Sequence, residues 1–140
     1  MADACEFPLQ NATPEEIGAL LRSTRIIAVV GLSDTPNRDS YQVAAVLQGY
    51  GCKIIPVNPA VQQVLGEKAY PDLKSVPGKI DMVNIFRKPE AVPAIVDEAI
   101  AVGAKSVWMQ SGIVHNEAAE KARQHGLQVV MDRCLKVERQ

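Results

Sequence analysis

Five short apolar runs limit what this chain can fold into more than any other feature of its sequence. They comprise residues 26–30, 52–57, 80–86, 106–109 and 127–131. The runs are apolar on both faces, which is typical of strands in a parallel sheet that helices cover on both sides. Helical patterns over residues 41–50, 90–102 and 116–125 separate most of them. The alternation predicts a doubly wound α/β fold, a parallel sheet of about five strands in three layers with right-handed crossovers.

Glycines support the ends of the predicted helices. Gly51, Gly103 and Gly126 each stand just past a helical pattern, where a helix commonly ends in a left-handed residue. The stretch 58–79 is the exception to the alternation, because it is polar and broken by prolines and glycines. There we expect a short helical turn around residues 61–65, followed by a loop that leads to the third strand.

An extra helix is predicted ahead of the first strand. Thr13 and Glu16 have the spacing of a capping box, and an apolar face follows them. We expect this helix to pack against the edge of the sheet. Residues 1–12 are predicted to be a flexible leader and residues 13–140 a single domain, without internal repeats.

Composition excludes several classes of function. The chain has 140 residues, 47% of them hydrophobic, and a net charge of -1, which does not suit a protein that binds nucleic acid through bulk charge. We expect no export signal, and the sequence contains no apolar run long enough to cross a membrane. Cys5, Cys52 and Cys134 have neither disulfide-framework nor zinc-site spacing, so we expect a protein of the reducing cytoplasm that holds no metal.

The carboxyl ends of the strands are where such a sheet binds its ligand. After the first strand, Gly31 permits a sharp turn, Ser33 offers a hydroxyl, and Arg38 offers a planar cation just before a helix begins. A helix N-terminus with such neighbours suits a phosphate group. The glycine pattern of dinucleotide enzymes is incomplete, since Ser33 and Pro36 occupy the second and third glycine positions. The second strand ends at neutral Asn58, where those enzymes have an acidic residue for the ribose.

Motifs at all five strand ends occur in an order that resembles a known family. They are Gly31-Leu32-Ser33, Pro56-Val57-Asn58-Pro59, Phe86-Arg87-Lys88-Pro89, Trp108-Met109-Gln110-Ser111-Gly112-Ile113 and Asp132-Arg133-Cys134-Leu135. The set resembles the small stand-alone CoA-binding proteins, which are similar to the CoA-binding domain of the succinyl-CoA synthetase α subunit. The resemblance runs from about Ile26 to the C-terminus.

The resemblance implies a Rossmann-like domain with coenzyme A, or an acyl-CoA, lying over the strand ends. The residues that would bind it are Gly31, Ser33 and Arg38 at the phosphates, Val57, Asn58 and Pro59 on the nucleotide side, Phe86 and Arg87 at the pantetheine or diphosphate, and Gln110, Ser111 and Gly112 from the fourth loop. Two departures from the synthetase stand out. Ser111 replaces part of a glutamate-containing loop, and the later domain that carries the phosphorylated histidine is missing.

No complete catalytic set is recognisable. Cys134 is the candidate catalytic residue, because the neighbouring Arg133 favours a reactive thiolate and a thiol beside a thiol cofactor can form a mixed disulfide. His115 is expected to begin a helix and His125 to end the same one. We therefore favour a cytoplasmic CoA-binding or regulatory module over an enzyme.

Two alternatives stay open at this stage, besides an interaction protein whose pocket has lost its ligand. One is a nucleotide-dependent, NAD(P)-type oxidoreductase, and the other is a thiol-based CoA redox enzyme that uses Cys134. We expect a small-molecule CoA ligand as partner, with neither nucleic acid nor membrane. A homodimer and a partner enzyme are both left open.

Overall fold

A computed structural model of the protein describes residues 6–139, so Cys5 lies outside the described residues. The main elements are α1 (Pro14–Ser23), β1 (Ile26–Val30), α2 (Asp39–Gly49), β2 (Lys53–Val57), β3 (Gln63–Val64), β4 (Glu67–Lys68), β5 (Met82–Ile85), α3 (Val92–Ala101), β6 (Ser106–Met109), α4 (Asn116–Gln124), β7 (Gln128–Val130) and α5 (Leu135–Arg139). Short 3₁₀ turns cover Leu73–Ser75 and Pro89–Ala91. None of the helices in this part of the chain is long and apolar enough to cross a membrane.

Five strands form one parallel sheet in the order β2-β1-β5-β6-β7. The chain moves outward from β1 to β2 in one direction and then from β5 to β7 in the other. The order therefore reverses between β1 and β5, which is the switch point of a doubly wound sheet. This arrangement confirms the predicted Rossmann-like α/β fold with its additional N-terminal helix.

Alternate residues along the strands face two separate cores. One face packs Val83 and Ile85 of β5 against α3 and α4, and the other packs Met82 of β5 against α1, α2 and α5. Both clusters are closed to solvent, which accounts for strands that are apolar on both sides. Trp108 of β6 lies in the second cluster and is fully buried.

The N-terminal helix begins as the sequence predicts. The Glu16 N–H donates to the Thr13 hydroxyl at 3.1 Å, and the Thr13 N–H donates to the Glu16 carboxylate at 2.8 Å, which together complete a capping box. Ile17 and Leu20 are buried in the core cluster on one face of the sheet. Leu20 also lines a pocket with Val129 and Val130 of β7, an outer strand of the sheet, so the helix lies beside the sheet edge as expected.

The segment ahead of α1 lies along α4 and β7. The Leu9 N–H donates to the Asn116 amide oxygen at 2.8 Å, and an Arg123 guanidinium nitrogen donates to the Gln10 carbonyl at 3.0 Å. The Asn11 amide accepts from the Met131 N–H at 3.0 Å and donates to the Met131 carbonyl at 2.9 Å. This side chain thereby imitates a neighbouring strand just past the end of β7. The division into a leader of residues 1–12 and a domain of residues 13–140 stays a prediction.

The stretch between β2 and β5 contains the main error in the sequence-based prediction. The expected helical turn around residues 61–65 is wrong, because β3 and β4 form an antiparallel hairpin there. Behind the hairpin, the Tyr70 N–H donates to the Pro56 carbonyl at 3.0 Å, and the Asn58 N–H donates to the Tyr70 carbonyl at 2.8 Å. These bonds hold the segment against the outer edge of β2.

At the amino ends of the strands, the buried Asp81 carboxylate ties β1 to β5. One of its oxygens accepts from the backbone N–H groups of Arg25 and Ile26 at 3.0 and 2.9 Å. Lys79 and Lys105 lie 3.7 and 4.0 Å from the other oxygen. Burial opposes the ionisation of Asp81, but the two backbone hydrogen bonds and the two lysines outweigh it and hold the pKa of Asp81 below its ordinary value.

Candidate functional site

Gly31 directly follows β1 and lies at the switch point of the sheet. Its φ is +89°, and a Cβ atom placed there would lie 2.6 Å from the Phe86 carbonyl oxygen and 3.0 Å from Cδ of Arg87. Its own N–H donates to the Val57 carbonyl at 2.9 Å. Only glycine therefore allows the ends of β1, β2 and β5 to come this close.

The loop from β1 to α2 is folded on itself. The Ser33 N–H donates to the hydroxyl of buried Ser40 at 3.0 Å, and the Ser33 hydroxyl accepts from the Thr35 N–H at 3.0 Å. Arg38 is the N-cap residue of α2, and its side chain makes no capping hydrogen bond. The first turn of an 11-residue helix thus lacks a side-chain cap, which leaves N–H groups and a positive dipole end available for an anion.

An open cavity of 520 Å³ lies between the start of α2, the ends of β5 and β6, and α5. Its lining residues are Asp39, Gln42, Val43, Phe86, Arg87, Lys88, Gln110, Ser111, Ile113, Cys134, Lys136 and Val137. Three of these side chains are cationic and one is anionic, so the cavity carries net positive charge. Its size is that of an ordinary small-molecule site, for which volumes of about 300–1,000 Å³ are typical.

Gln110 forms the polar floor of this cavity and is only 5% exposed. Its amide oxygen accepts from Nδ2 of Asn84 at 3.1 Å and from the Leu135 N–H at 3.0 Å. These two hydrogen bonds engage the amide oxygen and fix the orientation of the amide group. The amide nitrogen faces the cavity and has no hydrogen-bond partner among residues 6–139. A fixed donor on a buried floor is suited to a ligand carbonyl.

Asn84 supports this floor from β5 and is itself completely buried. Its Oδ1 atom has no hydrogen-bond partner within the described part of the chain. Nδ2 of Asn84 donates to the Gln110 amide oxygen at 3.1 Å and to the Trp108 carbonyl at 3.4 Å. These two acceptors hold the amide in this orientation, although the unpaired Oδ1 costs free energy.

The loop after β7 is pinned to the end of β6. The indole N–H of Trp108 donates to the Arg133 carbonyl at 2.8 Å, and the Gly112 N–H donates to the Asp132 carboxylate at 2.7 Å. Asp132 is a non-glycine residue with φ +58°, a left-handed conformation that aspartate tolerates in turns. These contacts place the half-buried Cys134 at the wall of the cavity.

A second, smaller cavity of 120 Å³ adjoins the nucleotide side of the predicted site. Val57, Pro59 and Arg87 line it, so Arg87 belongs to the lining of both cavities. Asn58 lies beside it and donates from Nδ2 to the Leu32 carbonyl at 3.0 Å. Arg87 is therefore shared by the two cavities, and the carboxylates of Asp72 and Glu98 also line the smaller one.

The structure groups the predicted ligand-binding residues into three neighbouring sets. Phe86, Arg87, Gln110 and Ser111 line the large cavity, and Val57 and Pro59 line the small one. The third set, outside both linings, is Gly31, Ser33, Arg38, Asn58 and Gly112, all in the turns that follow the strands. For all three sets, contact with a ligand stays a prediction.

Several lining residues were not predicted as ligand contacts. Asp39 and Gln42 come from the first turns of α2, and Lys136 and Val137 come from α5. The proposed helix start after Arg38 was a usable signal for the first pair. No pattern in the sequence predicted α5, which supplies the second pair.

The two histidines begin and end α4. Nδ1 of His115 accepts from the Ala118 N–H at 3.1 Å, so this ring is the N-cap of the helix, as expected. His125 is the C-cap residue, and its Nδ1 lies 3.0 Å from the Lys121 carbonyl. Neither histidine lines the large cavity.

The fold and the cavity define a Rossmann-like α/β domain with an open crevice at the carboxyl edge of its sheet. The chain belongs to the family described as "CoA binding domain", whose model matches residues 25–140.

Relatives of two lengths are similar to this chain. The YneT protein of Bacillus subtilis is 43% identical over 129 residues, which cover 92% of this chain and 96% of YneT. A solved protein from Pyrococcus horikoshii OT3 is 39% identical with a TM-score of 0.89, covering 95% of this chain and 94% of that one. The α subunit of acetate–CoA ligase (ADP-forming) II of Pyrococcus furiosus is 30% identical over 122 residues, 79% of this chain but only 27% of the subunit.

Proposed function

We propose that this protein binds coenzyme A or an acyl-CoA at the carboxyl edge of its sheet. The observation that carries the proposal is the positively charged cavity of 520 Å³ beside the switch point, in a chain that belongs to the CoA binding domain family. The similarity to part of an acetate–CoA ligase subunit supports the same ligand.

The arrangement suggests how the ligand lies. The uncapped start of α2 and Arg87 offer N–H groups and a guanidinium to the phosphates. The pantetheine arm then runs across the ends of β5 and β6, where Phe86 gives apolar contact and the amide nitrogen of Gln110 donates to a carbonyl. The small cavity beside Val57 and Pro59 takes part of the nucleotide.

We further propose a binding or regulatory role rather than catalysis. Among the residues that line the large cavity, Cys134 is the one strong nucleophile, and the structure gives it no hydrogen bond to a basic side chain of residues 6–139. Incubation with acetyl-CoA tests this point. Neither hydrolysis nor acetyl transfer is expected, and turnover above that of a Cys134→Ser variant would make the protein an enzyme.

Titration calorimetry tests the binding itself. CoA should bind with one site per chain, and NAD should bind far more weakly because the glycine and acidic positions of dinucleotide enzymes are absent. Arg87→Gln should weaken CoA binding by about 1.5–3 kcal/mol, or roughly 10- to 150-fold, since a charge-assisted hydrogen bond is lost.

Arg22→Gln is the matched control, because it removes an exposed guanidinium from α1, away from the lining of the large cavity. It should leave CoA affinity unchanged. No heat with CoA, binding of NAD in its place, or an equal loss in both variants would each refute the proposed site.

A further inference from the structure

We infer that Cys134 is a covalent capture site, at which the thiol forms a reversible mixed disulfide with a ligand of the CoA class. The inference rests on the proposed function, since it requires the ligand's own sulfur to reach the large cavity. It adds a redox-dependent modification to what is otherwise reversible binding.

The position of Cys134 is the first support. It lines the large cavity and is partly exposed there. Two side chains hold the backbone on either side of it. Trp108 of β6 binds the Arg133 carbonyl, and Gln110, just after β6, binds the Leu135 N–H. The thiol is thus presented to the cavity by backbone fixed on both sides.

Gln110 is the second and independent support. Its side chain is nine-tenths or more buried, its amide oxygen is engaged by Asn84 and Leu135, and its free amide nitrogen is left toward the same cavity. A pantetheine arm carries amide carbonyls just before its terminal sulfur. A carbonyl held by Gln110 would bring that sulfur to the wall that Cys134 occupies.

The charge of the cavity also favours an anionic ligand of the CoA class beside this cysteine. Arg87, Lys88 and Lys136 line the cavity against the single carboxylate of Asp39, so an anionic ligand is favoured there. The ligand would have to span part of the sheet. The loop after β7 lies three strand spacings, or about 14 Å, from the proposed phosphate position near β1.

Cys52 provides a contrast within the same chain. It is buried, and it lies just before the amino end of β2, at the opposite end of the sheet from the cavity. Burial raises the pKa of the Cys52 thiol, an effect that Arg139 and Arg25 only partly oppose. The structure therefore separates an inert buried cysteine from one that faces the proposed ligand.

The step is a thiol–disulfide exchange with CoA disulfide as the oxidant. The Cys134 thiol releases its proton, and the thiolate attacks one sulfur of CoA disulfide. The sulfur–sulfur bond of the reagent breaks as the bond between Cys134 and CoA forms. The second CoA leaves as a thiolate and takes up a proton, so Cys134 is oxidised and one CoA is reduced. A thiol reductant reverses the step.

Intact-mass spectrometry with peptide mapping tests the inference on the reduced full-length protein. CoA disulfide should add one CoA, on Cys134, roughly tenfold or more faster than equimolar glutathione disulfide adds glutathione, because the bound ligand presents its sulfur to the thiol. The adduct should disappear with reductant and in Cys134→Ser, and persist in Cys5→Ser. Equal rates with both disulfides, or an adduct on Cys5 or Cys52, would overturn the inference.

Binding of reduced CoA separates this inference from the proposed function. If reduced CoA binds the wild type and Cys134→Ser equally while CoA disulfide adds nothing, capture is wrong and reversible binding stands. If reduced CoA binds neither protein, the proposed function is wrong, and the inference that rests on it is overturned as well.

Discussion

Replacing Gly31 with alanine tests the geometry on which the whole site depends. The added Cβ would lie 2.6 Å from the Phe86 carbonyl oxygen, closer than real Cβ atoms approach other groups. An L-residue at φ +89° costs about 1–2 kcal/mol. Forcing apart the ends of β1 and β5 adds about 1–3 kcal/mol, as for other overpacked sites. We expect a total loss of about 2–5 kcal/mol in the free energy of unfolding.

Gly126→Ala is the matched control. Its φ is +86°, but a Cβ there would meet nothing within 4 Å, so only the conformational cost of about 1–2 kcal/mol applies. The difference between the two variants therefore isolates the crowding at the switch point. It corresponds to about 1–3 kcal/mol, or roughly 4–12 °C in Tm for a domain of this size.

Urea denaturation at neutral pH, with thermal melting as a second measurement, gives both values. A Gly31→Ala variant that loses no more stability than Gly126→Ala would refute the close approach of β1 and β5. Gly31→Ala should also weaken CoA binding more than Gly126→Ala does, because the displaced Phe86 and Arg87 line the proposed site.

Three further predictions concern stability. Asp81→Asn should cost about 1–2 kcal/mol at neutral pH, since charge-assisted hydrogen bonds become neutral ones. Because the pKa of Asp81 is lowered in the folded state, the ionised carboxylate stabilises the fold above its ordinary unfolded pKa of about 3.9. The difference in stability between wild type and Asp81→Asn should therefore close as pH falls through the folded-state pKa. A gap that persists in acid would contradict this reasoning. Thr13→Ala should cost about 0.5–2 kcal/mol through loss of the N-cap, whereas Thr13→Ser should cost little, and equal urea midpoints for the two would exclude the capping role. Asn11→Ala should cost about 1–3 kcal/mol in the free energy of unfolding, because both side-chain bonds to Met131 are lost. Asn11→Asp should lose only the bond donated to the Met131 carbonyl, and hydrogen exchange of the Met131 amide measures whether the other bond is kept.

The sequence was sufficient for the parts of the fold that repeat. Apolar runs without alternation indicate buried parallel strands, and parallel strands bring their carboxyl ends to one edge. Phe86, Arg87, Gln110 and Ser111 could therefore be assigned to a common region before any coordinates, and the structure brings them into one cavity. The capping box of Thr13 and Glu16 was predictable because it is entirely local.

The parts that failed depend on distant contacts. The hairpin of β3 and β4 is too short to show a period, and it lies where Tyr70 pairs with the edge of β2. Helix α5 has only five residues, and its first N–H is held by the side chain of Gln110, just after β6. The shared position of Arg87 between two cavities likewise follows from packing rather than from spacing.

The contacts of Asn11 and Tyr70 have a consequence for how this protein meets other molecules. A free strand edge invites a second chain to extend the sheet, which is a common route to aggregation. Backbone bonds to Tyr70 occupy the end of one outer strand, and the amide of Asn11 occupies the position just past the other. Both contacts shorten the free edge that a second chain could extend, so replacing Asn11 should make the end of β7 more accessible to such pairing.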